Sequence, residues 1–356
     1  MLQRRWFSSF KAGDVALLRS IVRADKFWLT NPLVSGGKTN VFDGHIKHDD
    51  IVGLKSRSIV KSSSEKSSFI VTQASTEDYI NLSKRSAQPI YPYDAAAIAN
   101  LADFHFDYPE LDEDNKLVDS PIQLLEAGTG HGSLSLALCS KIHPLNCFNK
   151  KFGARGGILH TIDHNKLHSE RGQLTIRNFR RGIYEDNVEY HVANSPSEWL
   201  QNEAESWRSL EKINSNEDQY DGFLSGAFLD MPNFHLEVEQ IAKDLKQDAP
   251  LIVFCPSVTQ ILDLLNVIRQ SQGDIKLTHT QTIQLTPGMG GGLQDWEVRY
   301  TNIRVSGEVG VICRPKVGTK VVGGGFIGIF KKLSNNANIK PKYYNQQEES
   351  NIKTQY

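Results

Sequence analysis

The sequence is poor in sulfur-containing residues. Its 356 residues include four cysteines and three methionines, and no two cysteines form a C-x-x-C pair. Because paired or clustered cysteines are the usual sign of disulfides and metal sites, we expect neither, and we expect the cysteines to be reduced packing residues. They are Cys139, Cys147, Cys255 and Cys313.

A long apolar run and an excess of one charge are also absent. No stretch is apolar for long enough to cross a bilayer, so we expect no membrane span. The formal net charge of -1 excludes a global basic field for nucleic acid, although a local basic patch is compatible with it. With 39% hydrophobic and 23% charged residues, the composition is that of a folded chain with one large or two smaller domains.

The N-terminus is basic and lacks acids. Arg4, Arg5 and Lys11 precede the first acidic residue, Asp14. This composition is typical of a mitochondrial transit peptide, and it predicts a matrix protein whose residues 1–35 are transit peptide and extension. The sequence R-W-F-S at residues 5–8 also resembles a matrix processing site. The alternative is a basic N-terminal helix of a cytosolic protein.

Residues 36–84 predict a small β module. Short apolar runs, such as residues 50–54 and 68–72, alternate there with glycine, aspartate and serine. Ser75 begins a cap-like sequence, which predicts a helix ending near Lys84.

Residues 122–138, with the sequence I-Q-L-L-E-A-G-T-G-H-G-S-L-S-L-A-L, dominate the rest of the chain. The apolar start predicts a buried strand, and the serine after the last glycine predicts a helix start. Glycines between them let the backbone turn and let a ligand approach the main chain. The spacing differs from the G-x-G-x-x-G pattern of dinucleotide-binding proteins and is typical of S-adenosylmethionine-dependent methyltransferases.

A second apolar strand, at residues 157–163, ends in Asp163. In doubly wound folds an acid at this position binds ribose hydroxyl groups, which supports a nucleoside-containing cofactor. The alternative is that Asp163 caps the following helix.

Two further segments bear on the site. Pro89 and Pro92 enforce an extended backbone that would direct Gln88 and Tyr91 toward the cofactor, unless Tyr91 is an ordinary packing residue. A predicted fourth strand ends in Asp230, where α/β sheets bind ligands, unless this acid only begins a turn.

More strands are predicted at residues 188–192, 251–255, 275–285 and 321–330, so the fold class is α/β with a Rossmann-like sheet. Residues 85–332 form this domain. The polar residues 333–356 are predicted to be a disordered tail.

With these residues in view, the chain resembles the tRNA adenine-58 N1-methyltransferase family, the TrmI-like catalytic subunits. The resemblance covers roughly residues 43–332 and rests on the order and spacing of six short motifs. They are D-D-I-V-G at 49–53, R-x-x-Q-x-x-Y-P-x-D at 85–94, E-A-G-T-G-H-G-S-L at 126–134, F-L-D-M-P at 228–232, P-x-x-x-Q at 256–260 and R-P at 314–315.

The resemblance implies a seven-stranded class I methyltransferase sheet with an N-terminal β module, the cofactor S-adenosylmethionine, and methyl transfer to adenine N1 in the T-loop of tRNA. It implies a tetramer of one subunit or a complex with a non-catalytic paralogue. Asp230 would accept from the adenine 6-amino group, Tyr91 would stack on the base, and Arg85 and Arg314 would bind substrate. The implied cofactor contacts are Gln88, Glu126, Ala127, Gly128, Thr129, Gly130, His131, Gly132, Ser133, Leu134, Asp163, His168, Asn194 and Ser195.

Some positions depart from the family pattern. Asn194 replaces an acid, His168 an arginine and His131 a small residue, while residues 323–326 replace a His-Thr pair. Two readings therefore stay open, an active mitochondrial tRNA methyltransferase and a non-enzymatic RNA-binding or assembly subunit with the same fold. A methyltransferase for proteins or small molecules is disfavoured by residues 85–94.

Overall fold

The computed structural model describes residues 9–23, 25–211, 221–287, 293, 295–303, 307–315 and 323–337. The basic residues Arg4 and Arg5 and most of the predicted tail lie outside these ranges. Within them, no helix is long and apolar enough to cross a bilayer. The same residues contain no group of three or more His, Cys, Asp or Glu side chains arranged to hold a metal ion.

An antiparallel β module forms the N-terminal part. Its four-stranded sheet has the order β2-β1-β6-β5, and β3 pairs with β4 in a separate hairpin. Phe10, Leu18, Ile46 and Phe69 belong to its hydrophobic core. The strands are β1 (Ala16–Ser20), β2 (Phe27–Leu29), β3 (Lys38–Val41), β4 (Gly44–Lys47), β5 (Ser58–Lys61) and β6 (Ser68–Gln73).

This module begins well before residue 36, the boundary expected from the sequence. Strand β1 lies inside the sheet and pairs with β6 from Ala16 opposite Gln73 to Ser20 opposite Phe69. Phe10 is only 1% exposed. The described part of the expected extension therefore belongs to the folded module, because its strands are completed by partners much later in the chain.

The larger domain is built on a seven-stranded sheet of order β12-β15-β11-β10-β7-β8-β9. Strand β15 runs antiparallel to both of its neighbours, β11 and β12. The predicted fold class is confirmed. The strands are β7 (Ile122–Ala127), β8 (Gly157–Asp163), β9 (Val188–Val192), β10 (Leu224–Leu229), β11 (Pro250–Cys255), β12 (Leu277–Leu285) and β15 (Gly325–Lys332).

The helices begin where the sequence offers caps. Ser75 and Asp78 form a reciprocal capping box at the start of α1. Pro92 occupies the first turn of α2, and Ser257 caps α8. The helices are α1 (Thr76–Leu82), α2 (Pro92–Leu101), α3 (Ser133–Asn149), α4 (Lys166–Asn178), α5 (Pro196–Asn202), α6 (Glu205–Arg208), α7 (Val238–Asp244) and α8 (Val258–Gln270).

Three local features go beyond or against the expectations above. The charged segment after residue 199 begins in α5 and buries Trp199 and Leu200 completely. The chain between β12 and β15 contains a hairpin of β13 (Trp296–Asn302) and β14 (Val309–Pro315), which forms a separate two-stranded sheet. Cys139 and Cys255 are buried as expected, whereas Cys147 and Cys313 are exposed.

The strand register positions the functional site. From β7 the chain adds β8 and then β9 on one side of the sheet. It then crosses to the other side of β7, where it adds β10 and then β11. Parallel pairing sets Leu229 opposite Ala127 and Ala127 opposite Ile162. The residues that follow these three strands therefore meet at one edge, the switch point where such sheets bind ligands.

Candidate active site

A cleft of about 240 Å³ lies at this switch point, and we call it the switch-point cleft. It receives residues from the carboxyl ends of four strands and from the extended segment before α2. It is lined by Ala87, Gln88, Ala127, Gly128, Gly130, Ile162, Asp163, His164, His168, Ala193, Asn194, Ser195, Pro196, Asp230, Met231 and Pro232.

The glycine loop takes conformations that require glycine at its first position. Gly128 has φ +96°, and a Cβ atom there would collide with the backbone carbonyl oxygen of Asp230. Gly130 has φ +50°, and the nearest atoms to an added Cβ are 3.8 Å away. Gly132 has φ +83° and precedes α3. The loop is thus tightly packed at Gly128 and open toward the cleft at Gly130.

Asp163 holds this loop in place. Its Oδ2 accepts a hydrogen bond from the Gly130 backbone N–H at 3.0 Å, and its Oδ1 accepts one from Asn165 N–H at 2.9 Å. The side chain is only 5% exposed. The helix cap is Asn165, which accepts from Leu167 N–H. Asp163 therefore fixes the loop as well as lining the cleft, and it is not the cap of α4.

Asp230 follows β10 and is half-buried at the cleft. Its backbone N–H donates to the Ala127 carbonyl at 2.9 Å, which ties it to the end of β7. No described residue donates a hydrogen bond to its carboxyl group. Burial raises the pKa of Asp230 to about 7. A carboxyl group with free acceptor capacity therefore faces the space beside the glycine loop.

Glu126 lies beneath the loop rather than in the cleft. Its Oε2 accepts a hydrogen bond from Ser135 Oγ at 2.6 Å, and its Oε1 is buried without a partner among the described residues. Burial, with smaller contributions from the nearby Asp230 and Asp163, raises the pKa of Glu126 to about 8. Its contact with a cofactor is therefore indirect in this conformation.

Other residues of the predicted cofactor set also support the loop from behind. Thr129 Oγ1 lies 2.8 Å from Thr161 Oγ1, and His131 Nε2 lies 2.7 Å from Ser83 Oγ. Burial lowers the pKa of His131 to about 4. Leu134 belongs to the hydrophobic core. Thr129, His131, Gly132, Ser133 and Leu134 do not line the cleft.

The segment before α2 contributes Gln88 to the cleft but not Tyr91. Gln88 Nε2 donates to the Tyr91 hydroxyl at 3.3 Å. The Tyr91 ring is buried, and the guanidinium of exposed Arg85 lies 5.7 Å from its centroid. Of the two interpretations that the sequence left open for Tyr91, its burial and its absence from the cleft lining favour the packing residue.

Asn194 and Ser195 line the opposite wall. Asn194 is exposed, and its backbone N–H donates to Glu198 Oε2 at 3.1 Å. Ser195 caps α5 by accepting from Glu198 N–H at 3.2 Å. Sequence reasoning missed Glu198, a carboxylate one helical turn beyond the position where the family pattern has its acid. The cap sequence S-P-S-E was the available signal.

Arg314 does not line the switch-point cleft. It lies on β14, and its Nε donates to Glu297 Oε2 at 2.8 Å within the hairpin. Cleft residues that were not among the predicted site residues are Ala87, Ile162, His164, Ala193, Pro196, Met231 and Pro232. Each lies within two positions of a predicted site residue, and this proximity along the chain is the available sequence signal for it.

Comparison with known proteins supports the resemblance seen in the motifs. No family model matches the sequence. The tRNA (adenine(58)-N(1))-methyltransferase TrmI from one strain of Thermus thermophilus is 24% identical over 264 residues, which cover 74% of this chain and 81% of the relative. The chain is similar in sequence to the TrmI proteins. TrmI from a second strain of the same organism matches equally, at 24% identity over 264 residues.

Solved structures support the fold. TrmI from Aquifex aeolicus, a tRNA (m1A58) methyltransferase, has a TM-score of 0.54 at 20% identity, covering 91% of this chain and 99% of that one. A SAM-dependent O-methyltransferase from Thermotoga maritima has a TM-score of 0.58 at 15% identity, covering 93% and 97%. The chain therefore has the class I methyltransferase fold, and the predicted TrmI resemblance is confirmed.

Proposed function

We propose that this protein is an S-adenosylmethionine-dependent methyltransferase that forms N1-methyladenosine in the T-loop of mitochondrial tRNA. The sequence similarity to TrmI proteins supports the reaction class. The observation that carries the proposal is the free carboxyl group of Asp230 beside the glycine loop in the switch-point cleft.

The cleft suits a cationic nucleoside cofactor. Asp163 and Asp230 both line it, and Glu126 lies behind them with a raised pKa. Clustered acids favour a positively charged ligand, because it relieves their mutual repulsion and loss of hydration. Gly130 lines the cleft and brings the loop backbone to its surface. When bound, S-adenosylmethionine would supply a methyl group on a positively charged sulfur that is already a good leaving group.

The residues of this chain would then align the target base. Asp230 accepts from the 6-amino group of adenine and places N1 toward the methyl group. Its negative charge also offsets the positive charge that develops on the base during transfer. Alignment and electrostatic stabilisation are the main contributions that such a displacement needs from the protein.

Arg85, which the resemblance assigns to substrate binding, would share the stacking role expected of Tyr91, although neither residue lines the switch-point cleft. Its guanidinium is exposed above the buried Tyr91 ring. Unstacked bases bind to guanidinium planes as well as to aromatic rings. Tyr91 would thus support Arg85 and orient Gln88 through their hydrogen bond.

Nucleoside mass spectrometry tests the function directly. Purified full-length protein, S-adenosylmethionine and a mitochondrial tRNA transcript should yield N1-methyladenosine, and a transcript with guanosine at the target position should yield none. Cofactor binding without any methylated adenosine would overturn the tRNA substrate.

The competing function is a non-enzymatic RNA-binding or assembly subunit. The observation that favours it is Asn194, an uncharged residue at the cleft wall where the family pattern has an acid. Calorimetry separates the two, since absence of binding at millimolar S-adenosylmethionine would support the non-enzymatic function.

An oligomer is part of the proposal, either of this chain alone or with a paralogue. In the β13–β14 hairpin, Trp296, Val298, Tyr300 and Val311 share one face by strand alternation and register. Val298 is 66% and Tyr300 79% exposed. Because a two-stranded sheet with an uncovered apolar face is marginally stable alone, a second subunit is its expected cover.

Charge introduced on this face should disrupt assembly. We expect V298K/Y300K to lower the mass measured by light scattering at micromolar concentration, because two lysines cannot be desolvated against an apolar surface. The control T301K lies on the opposite face of the same strand. A monomeric wild-type protein that still methylates tRNA would refute the oligomer.

Mitochondrial targeting is also proposed, and the basic N-terminus supports it. A reporter fused to residues 1–35 should enter mitochondria, and R4E/R5E should keep it in the cytosol. Any cleavage should fall before Phe10, because that side chain packs in the module core. A purely cytosolic signal from the unaltered fusion would contradict this localisation.

A further inference from the structure

A second groove, of about 460 Å³, lies where the β module meets the methyltransferase domain. We call it the arginine groove. It shares no lining residue with the switch-point cleft. Its lining residues are Leu17, Arg19, Arg57, Thr72, Gln73, Ala74, Ser75, Asp78 and Arg180.

The three arginines of the groove carry uncompensated charge. Within the described ranges, Arg19, Arg57 and Arg180 form no ion pair with a carboxylate, whereas the adjacent Arg181 lies 3.5 Å from Asp14. Two of them stack on aromatic rings instead. The Arg19 guanidinium lies 5.4 Å from the Phe27 centroid, and that of Arg180 lies 5.3 Å from Phe179. Stacking orients a guanidinium without neutralising its charge.

The one carboxylate among the lining residues is already engaged. Asp78 Oδ2 accepts hydrogen bonds from Ser75 N–H at 3.3 Å and from Ser75 Oγ at 2.7 Å. The first contact, together with the bond that Asp78 N–H donates to Ser75 Oγ at 3.0 Å, forms the capping box of α1. Asp78 is therefore committed to the helix start, and the groove presents a net positive surface.

The backbone at two of the arginines is unusual. Arg57 has φ +73° and Arg180 has φ +48°, in the left-handed region that glycine and asparagine favour. Arg57 precedes β5, and Arg180 lies in the break after α4, beside Arg181, which holds this segment to the module. Non-glycine residues kept in this conformation are often found at functional sites.

We propose that Arg19, Arg57 and Arg180 bind phosphate groups of the tRNA backbone away from the reacting adenine. This inference rests on the proposed tRNA methyltransferase function. Guanidinium groups suit phosphate oxygens because they donate two parallel hydrogen bonds. Such contacts position a nucleic acid without reading its sequence.

The distance to the active site fits a polymeric substrate. Ser75 and Asp78 at the start of α1 line the arginine groove, and Gln88 lines the switch-point cleft. The seven residues of α1 span about 10 Å, and six further residues add at most ~20 Å. The two sites therefore lie within about 30 Å of each other along this segment, a separation that an RNA arm spans.

The test compares two triple variants of the full-length protein. R19Q/R57Q/R180Q removes the groove charges, and R155Q/K243Q/R269Q removes the same charge elsewhere. We expect the first variant to weaken tRNA binding by about tenfold or more. The slope of the logarithm of the binding constant against the logarithm of the salt concentration should decrease in magnitude by about two to three, roughly one for each lost phosphate contact. Cofactor binding and the rate at saturating tRNA should stay unchanged, so the effect should lie in KM.

The single variant R57Q guards against misfolding, because Arg57 is exposed and its side chain forms no ion pair with a described residue. It should weaken tRNA binding about threefold with an unchanged melting temperature. Equal tRNA binding by both triple variants would overturn the groove assignment while leaving the methyltransferase intact. A wild-type protein that neither binds nor methylates tRNA would instead overturn the proposed function.

Discussion

Asp230→Asn should lower single-turnover methylation of a T-loop adenine by about a hundredfold or more, the scale of losing an electrostatic contact made in the transition state. Cofactor affinity should fall far less than turnover, because asparagine has the same size, its backbone N–H still bonds Ala127, and Asp163 still lines the cleft. An amide can still accept a hydrogen bond, but it cannot offset the charge that develops on the base.

The pH dependence gives an independent readout of the same residue. Burial raises the pKa of Asp230 to about 7. Below that value the carboxyl group is protonated and neutral, so kcat/KM should rise as the pH increases from about 6 to about 8. The asparagine variant should lack this rise.

Asp248→Asn is the matched control, since Asp248 is an exposed acid in the turn before β11 and does not line the switch-point cleft. It should leave turnover and its pH profile unchanged. Wild-type turnover in Asp230→Asn would remove Asp230 from the mechanism without affecting the assigned fold.

Gly130→Asp should abolish S-adenosylmethionine binding, a loss of more than about a hundredfold in affinity. The new carboxylate would enter the space beside the loop and lie next to Asp163, whose Oδ2 accepts from Gly130 N–H. It would also add a third acid to the wall that holds Asp163 and Asp230. Steric overlap therefore acts against the ligand directly, and repulsion between the new carboxylate and Asp163 would displace the loop that Asp163 holds.

Gly130→Ala separates these effects from simple loop strain. The nearest atoms to its Cβ are 3.8 Å away, so alanine fits. Its positive φ costs about 1–2 kcal/mol, which we expect to appear mainly in the melting temperature. Calorimetric titration of both variants with S-adenosylmethionine tests this. If Gly130→Asp bound the cofactor within tenfold of the wild-type affinity, the cofactor would not lie against Gly130.

Much of the larger domain was predictable because its signals are local. Helix α1 follows the cap residue Ser75 and spans Thr76–Leu82, close to the end near Lys84 that its sequence predicted. Asp163 and Asp230 were placed at strand ends by the apolar runs before them, and both line the cleft. Strand ends and caps depend on a few adjacent residues, so a single sequence reveals them.

The finer assignments of the site were less accurate because they depend on side-chain direction. Leu134 follows the glycine loop in sequence, yet it turns into the core. Tyr91 turns inward at the start of α2, which leaves Arg85 exposed in its place. Neither direction can be read from neighbours along the chain, because packing between distant elements decides it.

The sequence by itself determined that this is an α/β methyltransferase fold with a glycine loop and strand-end acids, because apolar periodicity and glycine spacing act over a few residues. Only the tertiary structure decided that β1 belongs to the N-terminal module, that Asp163 fixes the loop through Gly130, and that three distant arginines share one groove. These arrangements join residues far apart in the chain, and the free energy that selects them comes from burial and pairing across the whole fold.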